Sequence, residues 1–281
     1  MLEHCYTLTS MDVLEERRGG VAVLTVSNPA RRNALTVELS DRLAHAVAAC
    51  DSDELVHAIV ITGAAPAFCA GADLDALAAA GRSGSATELH RIYAGFLAVA
   101  NAAVPTIAAV NGPAVGAGLN LALACDLRLV GPGASFDARF LKLGIHPGGG
   151  MTWLVQRATG AQTAAAMALF GEPLDAQEAV RTGLAYRLVE VGDGDPRSAA
   201  AHEAVVAAAV DLARRTAAAP RDLVVATKAA LRATAVMPLH ADAVAYETEP
   251  QLASLRSELT RNRYSEPNGG FRQGELAGAG G

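Results

Sequence analysis

Residues 110–126 read Val110-Asn111-Gly112-Pro113-Ala114-Val115-Gly116-Ala117-Gly118-Leu119-Asn120-Leu121-Ala122-Leu123-Ala124-Cys125-Asp126. A β-branched, apolar run from Thr106 to Val110 enters this stretch as a strand, and Leu127 to Val130 leaves it as another. Between them a glycine-rich turn opens onto a short apolar helix, Leu119 to Ala124. Small residues at such a turn let a ligand reach the backbone. The unpaired N–H groups of a helix N-terminus, with the positive end of the dipole behind them, favour an oxyanion. A plain tight turn fits the same residues. A dinucleotide fingerprint does not, because the third glycine is missing and no acidic residue closes the next strand.

Working outward, Val21 to Val26 reads as a buried strand after some ten residues without periodicity, and Val37 to Cys50 as an amphipathic helix with Leu39, Leu43, Ala46, Val47 and Cys50 on one face. Ala58 to Thr62 is a second buried strand. It exits into a loop of small residues, Ala67-Phe68-Cys69-Ala70-Gly71-Ala72-Asp73-Leu74. Gly81-Arg82-Ser83-Gly84-Ser85 reads as a flexible piece of a lid, and Thr87 to Asn101 as a helix. Strands alternating with helices at this spacing give an α/β core of ββα or βαβ units to about residue 190. Gly192-Asp193-Gly194-Asp195-Pro196 then reads as a linker to two alanine-rich helices, Ala201 to Arg215 and Asp222 to Ala233.

Composition narrows the function classes. The chain has 281 residues, 51% of them hydrophobic, with a formal net charge of −6 and no block of Lys or Arg, so no basic face for nucleic acid is expected. Between Ile92 and Cys125 there is no Asp, Glu, Lys, Arg or His, but Asn101, Pro105, Asn111, Pro113 and Asn120 cut the run into pieces too short for a membrane span. Cys5, Cys50, Cys69 and Cys125 form no CxxC pair and lie near no His at zinc-ligand spacing, and no basic-then-apolar leader precedes them. The expectation is a reduced, cytoplasmic protein with no metal and no membrane partner.

Phe68 to Leu74 resembles the first oxyanion loop of the enoyl-CoA hydratase/isomerase (crotonase) superfamily, and Val110 to Gly118 with Cys125-Asp126 resembles its second. Asn28-Pro29 through Asn33-Ala34-Leu35, Leu143 to Gly150, and Gly171 to Ala176 with Glu178-Ala179 and Gly183-Leu184 match in the same order, collinear from about residue 15 to about residue 250. The resemblance implies a spiral core of ββα repeats (15–195), a C-terminal helical region for trimerisation (196–262), and assembly into trimers or dimers of trimers, while lack of periodicity marks an N-terminal extension (1–14) and glycine-rich composition a flexible tail (263–281). It implies an acyl-CoA thioester as partner, with coenzyme A present only as part of the substrate and no other cofactor. The backbone N–H groups of Ala72 and Ala117 would hold the thioester oxygen. Ala34, Ala70, Asp73, Leu74, Gly116, Phe140 and Gly148 would line the acyl-CoA site, and Arg31 or Arg32, with Lys228 from a C-terminal helix, would lie near the phosphates. Asp73 and Asp126 are read as structural carboxylates.

The chain departs from the family's pattern at the acid/base positions. A hydratase of this kind uses two glutamates, because water addition brings oxygen to one carbon and a proton to its neighbour. Here Asn120 and Phe140 stand in their places, and Gly148 stands where the isomerase branch carries an aspartate. Asn120 orients a water but does not take its proton. His146 remains as a titratable candidate in the later loop, either catalytic or propping its glycines, with Asp137 and Arg139 on the preceding stretch. Two readings follow: an enzyme acting on an acyl- or enoyl-CoA by an unassigned reaction, and a non-catalytic acyl-CoA carrier.

Overall fold

The computed structural model describes residues 11–192 and 194–257. The apolar run at its start becomes β2 (Val21–Ser27), buried on both faces. Ahead of it lies β1 (Asp12–Arg17), paired antiparallel with Asp12 opposite Ser27 and Arg17 opposite Ala22. Its Glu15, Glu16 and Arg17 are exposed, as suits an edge strand, and this polarity hides it from a hydropathy reading. The boundary expected after residue 14 therefore falls inside a strand of the sheet.

After β2 the chain forms α1 (Val37–Ser52), capped by the Thr36 hydroxyl, which accepts from Leu39 N–H at 3.1 Å. Then come β3 (Ala58–Gly63), α2 (Leu74–Ser83), α3 (Ala86–Asn101), β4 (Thr106–Val110), β5 (Pro113–Val115), α4 (Ala117–Ala124), β6 (Leu127–Val130), β7 (Ser135–Asp137), α5 (Met151–Leu169), β8 (Leu174–Asp175), α6 (Ala176–Arg181), β9 (Arg187–Leu188) and α7 (Ala199–Ala213). The stretch expected to be a flexible lid is the junction of α2 and α3, where Gly84 adopts the left-handed conformation that ends α2.

Six strands form the main sheet in the order β1-β2-β3-β4-β6-β9, parallel except for β1. A second layer is built from the segments that follow those strands. Leu35 bridges Ala72, Cys69 bridges Ala114, and β5 pairs with β7 in parallel. Each repeat thus sends one strand to the large sheet, a short one to the second layer, and a helix outside, which is the ββα spiral. α7 closes the outer face of the sheet: Val205, Val206, Ala209, Val210 and Ala213 pack on Val21, Val23, Val60, Ile107, Ala109 and Leu129. Each valine buried there contributes about 1.5–3 kcal/mol. The glycine-rich connection at 192–196 is therefore a link inside the first compact unit, which runs to Arg221.

The second unit begins at Asp222 and contains nearly all of α8 (Arg221–Thr234) and the whole of α9 (His240–Arg256). Of its described residues Lys228 is buried, while Leu231, Val236, Leu239, Val244, Tyr246 and Leu255 are exposed. The tail expected at 263–281 lies outside the described residues. Among the described residues no helix is long and apolar enough to cross a membrane.

Candidate active site

Three successive turns of the spiral are laced by backbone hydrogen bonds. Leu35 N–H donates to Gly71 O at 2.8 Å and Asp73 N–H to Leu35 O at 2.8 Å, which ties the first loop to the segment after β2. Cys69 N–H donates to Pro113 O and Val115 N–H to Cys69 O, both at 3.0 Å, which ties it to the second loop. Asn33, 1% exposed, stiffens the assembly by donating through Nδ2 to Ala64 O at 2.7 Å and Ala67 O at 2.8 Å.

The lacing brings Gly71 against the start of α4. A β-carbon at Gly71 would lie 3.0 Å from Val115 O and 3.9 Å from Ala117 N. Its φ of +114° and that of Gly116, +53°, belong to the region that glycine alone enters freely. Among the described residues neither Ala72 N–H nor Ala117 N–H donates a backbone hydrogen bond, although Asp73 N–H and Asn120 N–H on either side do. Two adjacent loops thus each present an unspent donor, Ala117 at a helix N-terminus.

The other residues singled out from the sequence distribute around this point. Ala34 is buried, Ala70 and Gly116 are half-buried beside the lacing, and Leu74 is exposed on the first turn of α2. The Asp73 carboxylate accepts from the N–H groups of Asp75 and Ala76 at 3.1 Å each, capping α2, and is paired with Arg31. Arg31 also reaches Asp75 at 3.1 Å, whereas exposed Arg32 makes no ion pair among the described residues. Asp126 accepts from Thr106 N–H at 2.8 Å and from its hydroxyl at 3.0 Å, fastening the start of β6 to that of β4. Lys228 belongs to the second unit, and it is a buried side chain rather than a solvated one.

Asn120, one turn along α4 from Ala117 and 1% exposed, donates from Nδ2 to Gly148 O at 2.9 Å. Its Oδ1 is buried without a partner among the described residues. Phe140, half-buried, follows Asp137, whose carbonyl accepts from Gly116 N–H at 2.9 Å and whose carboxylate is held by Arg139 at 2.7 Å. His146 is exposed, with its Nδ1 2.7 Å from Pro147 O. A side chain that no sequence motif marks also comes to this loop: Tyr93, on α3, abuts Gly148. No local signal marks it, since Gly148 lies more than fifty residues away along the chain. Burial pushes the Cys69 thiol up to about 12, which leaves it an inert neutral group. Among the described residues no three of His, Cys, Asp or Glu gather to hold a metal ion.

A ββα spiral whose first and second loops present paired free N–H groups defines the crotonase class of fold. The family model for enoyl-CoA hydratase/isomerase matches residues 16–254, and the chain belongs to that family. It is 51% identical over 242 residues to a probable enoyl-CoA hydratase, EchA14, of Mycobacterium tuberculosis, a match covering 84% of this chain and 90% of that one. It is 39% identical over 203 residues to the mitochondrial methylglutaconyl-CoA hydratase of Mus musculus, covering 72% and 62%. A Thermobifida fusca YX chain solved in complex with CoA superposes with a TM-score of 0.74 at 30% identity, over 87% of this chain and 93% of that one.

Proposed function

We propose that the protein is an enzyme acting on an acyl- or enoyl-CoA thioester, whose carbonyl oxygen accepts hydrogen bonds from Ala72 N–H and Ala117 N–H. The observation that carries this reading is the pair of unspent donors on loops held together through Cys69, Val115 and Leu35. As negative charge moves onto the thioester oxygen in an enolate, both bonds strengthen, and each donor of this kind lowers the barrier by about 2.7–4 kcal/mol. The names borne by the relatives support a coenzyme A thioester as the substrate class. Arg32, free of ion pairs among the described residues, is better placed than Arg31 to receive a phosphate. Assembly into trimers or paired trimers belongs to the same reading, supported by the exposed apolar side chains of α8 and α9.

The test is a spectrophotometric assay of crotonyl-CoA and a longer 2-enoyl-CoA, following loss of the conjugated thioester absorbance, with binding measured in parallel. Loss of absorbance with formation of hydroxyacyl-CoA shows hydration without the two glutamates. A carrier role stands instead if the ligands bind, no acyl- or enoyl-CoA turns over, and only the Asn120→Glu, Phe140→Glu double variant hydrates. Absence of binding ends the thioester reading.

A further inference from the structure

Gly148 has no side chain, yet the space a side chain would take is filled. A β-carbon there would lie 2.5 Å from the Tyr93 hydroxyl oxygen and 3.4 Å from its Cζ. The φ of Gly148 is not among the positive ones, so the backbone itself does not require glycine. This is the position at which, by the resemblance, the isomerase branch carries its carboxylate. A phenol delivered by α3 stands where an acid on the loop would project.

Neighbouring groups point the same way. Gly148 O is held by Asn120, one helical turn from Ala117, so the loop that the phenol abuts is tied to the helix that carries one of the two free N–H groups. The buried, partnerless Asn120 Oδ1 adds an acceptor to the cluster. Phe96, with its ring centroid 5.4 Å from that of Tyr93, comes within 2.6 Å of where a β-carbon at Gly149 would be and forms the apolar wall. Among the described residues the Tyr93 hydroxyl has no hydrogen-bond partner of its own.

We propose that Tyr93 is a catalytic residue of this site, its hydroxyl touching the carbon next to the thioester carbonyl and carrying a proton to and from it. The inference rests on the thioester reading above. In the forward step the Tyr93 O–H bond breaks, the electron pair of the enolate C=C becomes the new C–H bond, and the C=O double bond re-forms. The phenolate left behind regains its proton from solvent water. The reverse step needs the phenolate, which burial disfavours by holding the Tyr93 pKa above its ordinary value of 10.0. Burial is the one cause of that shift: no charged group of α1, α2, α4 or the 146–150 loop contributes, and His90, on the same helix, has its ring 6.1 Å away.

The experiment is exchange of solvent deuterium into the α-position of butyryl-CoA, read by mass spectrometry from pH 7 to above 10, with calorimetric binding alongside. The parent should exchange at a rate that keeps rising past pH 10. Tyr93→Phe should exchange about 10²–10⁴-fold more slowly, lose that rise, and change much less in affinity. Gly148→Ala supplies the geometric check. Its methyl group meets the hydroxyl in the parent but only Cζ at 3.4 Å in Tyr93→Phe, so the destabilisation it causes should largely vanish in the double variant. Exchange by Tyr93→Phe within threefold of the parent overturns the proposal, as does butyryl-CoA bound by the parent without exchange. No binding at all would instead remove the thioester reading on which it rests.

Discussion

Gly118→Ala tests whether the two loops are held at a fixed separation. A β-carbon at Gly118 would lie 2.8 Å from the Cys69 carbonyl carbon, 2.9 Å from its Cβ, and closer still to its carbonyl oxygen. Carbon atoms in good contact stand about 3.5–4.0 Å apart, so α4 and the first loop must separate by roughly 1 Å. Overpacking of this kind destabilises by about 1–3 kcal/mol. Alanine in place of a helical glycine returns about 1 kcal/mol, leaving a net loss of roughly 0–2 kcal/mol. At about 2–4 °C per kcal/mol for a unit of this size, the melting temperature falls by roughly 0–8 °C. The effect on the donors is larger. Ala117 is next to Gly118 and Ala72 lies three residues beyond Cys69, so a 1 Å separation takes one N–H out of reach of an oxygen held by the other. Losing one such donor lowers turnover about 10²–10³-fold. The assay pairs thermal unfolding with difference infrared spectroscopy of bound acyl-CoA, in which the thioester C=O stretch moves to lower frequency when both donors engage. A Gly118→Ala protein that keeps the parent's carbonyl shift and turnover refutes the reasoning.

Asp73→Ala removes the cap of α2 and the partner of Arg31, and should lower stability in urea denaturation by about 1 kcal/mol, most of it recovered by Asp73→Asn. The Cys69 thiol, pushed by burial from 9.0 to about 12, should resist alkylation in the native protein at pH 8.5, with labelling mapped by mass spectrometry. Because its folded pKa is raised, the stability it contributes is present below pH 9 and is lost as the pH climbs from 9 toward 12, which Cys69→Ala should flatten in denaturation curves across that range. His202 has the opposite sign: burial lowers its pKa from 6.5, so its contribution is present above pH 6.5 and is lost as the pH falls below that value through the folded pKa. His202→Gln should remove that part of the acid dependence, as measured by melting temperature between pH 7 and 4.5.

The strands from Val21, Ala58, Thr106 and Leu127, the helix from Val37 and the glycine-rich entry to α4 were legible in the sequence because each is a local pattern: unbroken apolar runs, a helical stripe, and small residues where backbone must approach backbone. The two loops and their order were legible for the same reason, and the absence of glutamate at residues 120 and 140 is visible in the chain itself. What the sequence could not show depends on partners far apart in the chain. β1 is an amphipathic edge strand that exists through its pairing with β2, and α7 belongs with the core because its valines meet the outer face of the sheet. Above all, the fold turned His146 to its neighbour's carbonyl at the surface and brought Tyr93 to Gly148. Periodicity places a residue on a face of its own helix, but only the packing of α3 against the later loop decides which empty β-carbon position a phenol fills.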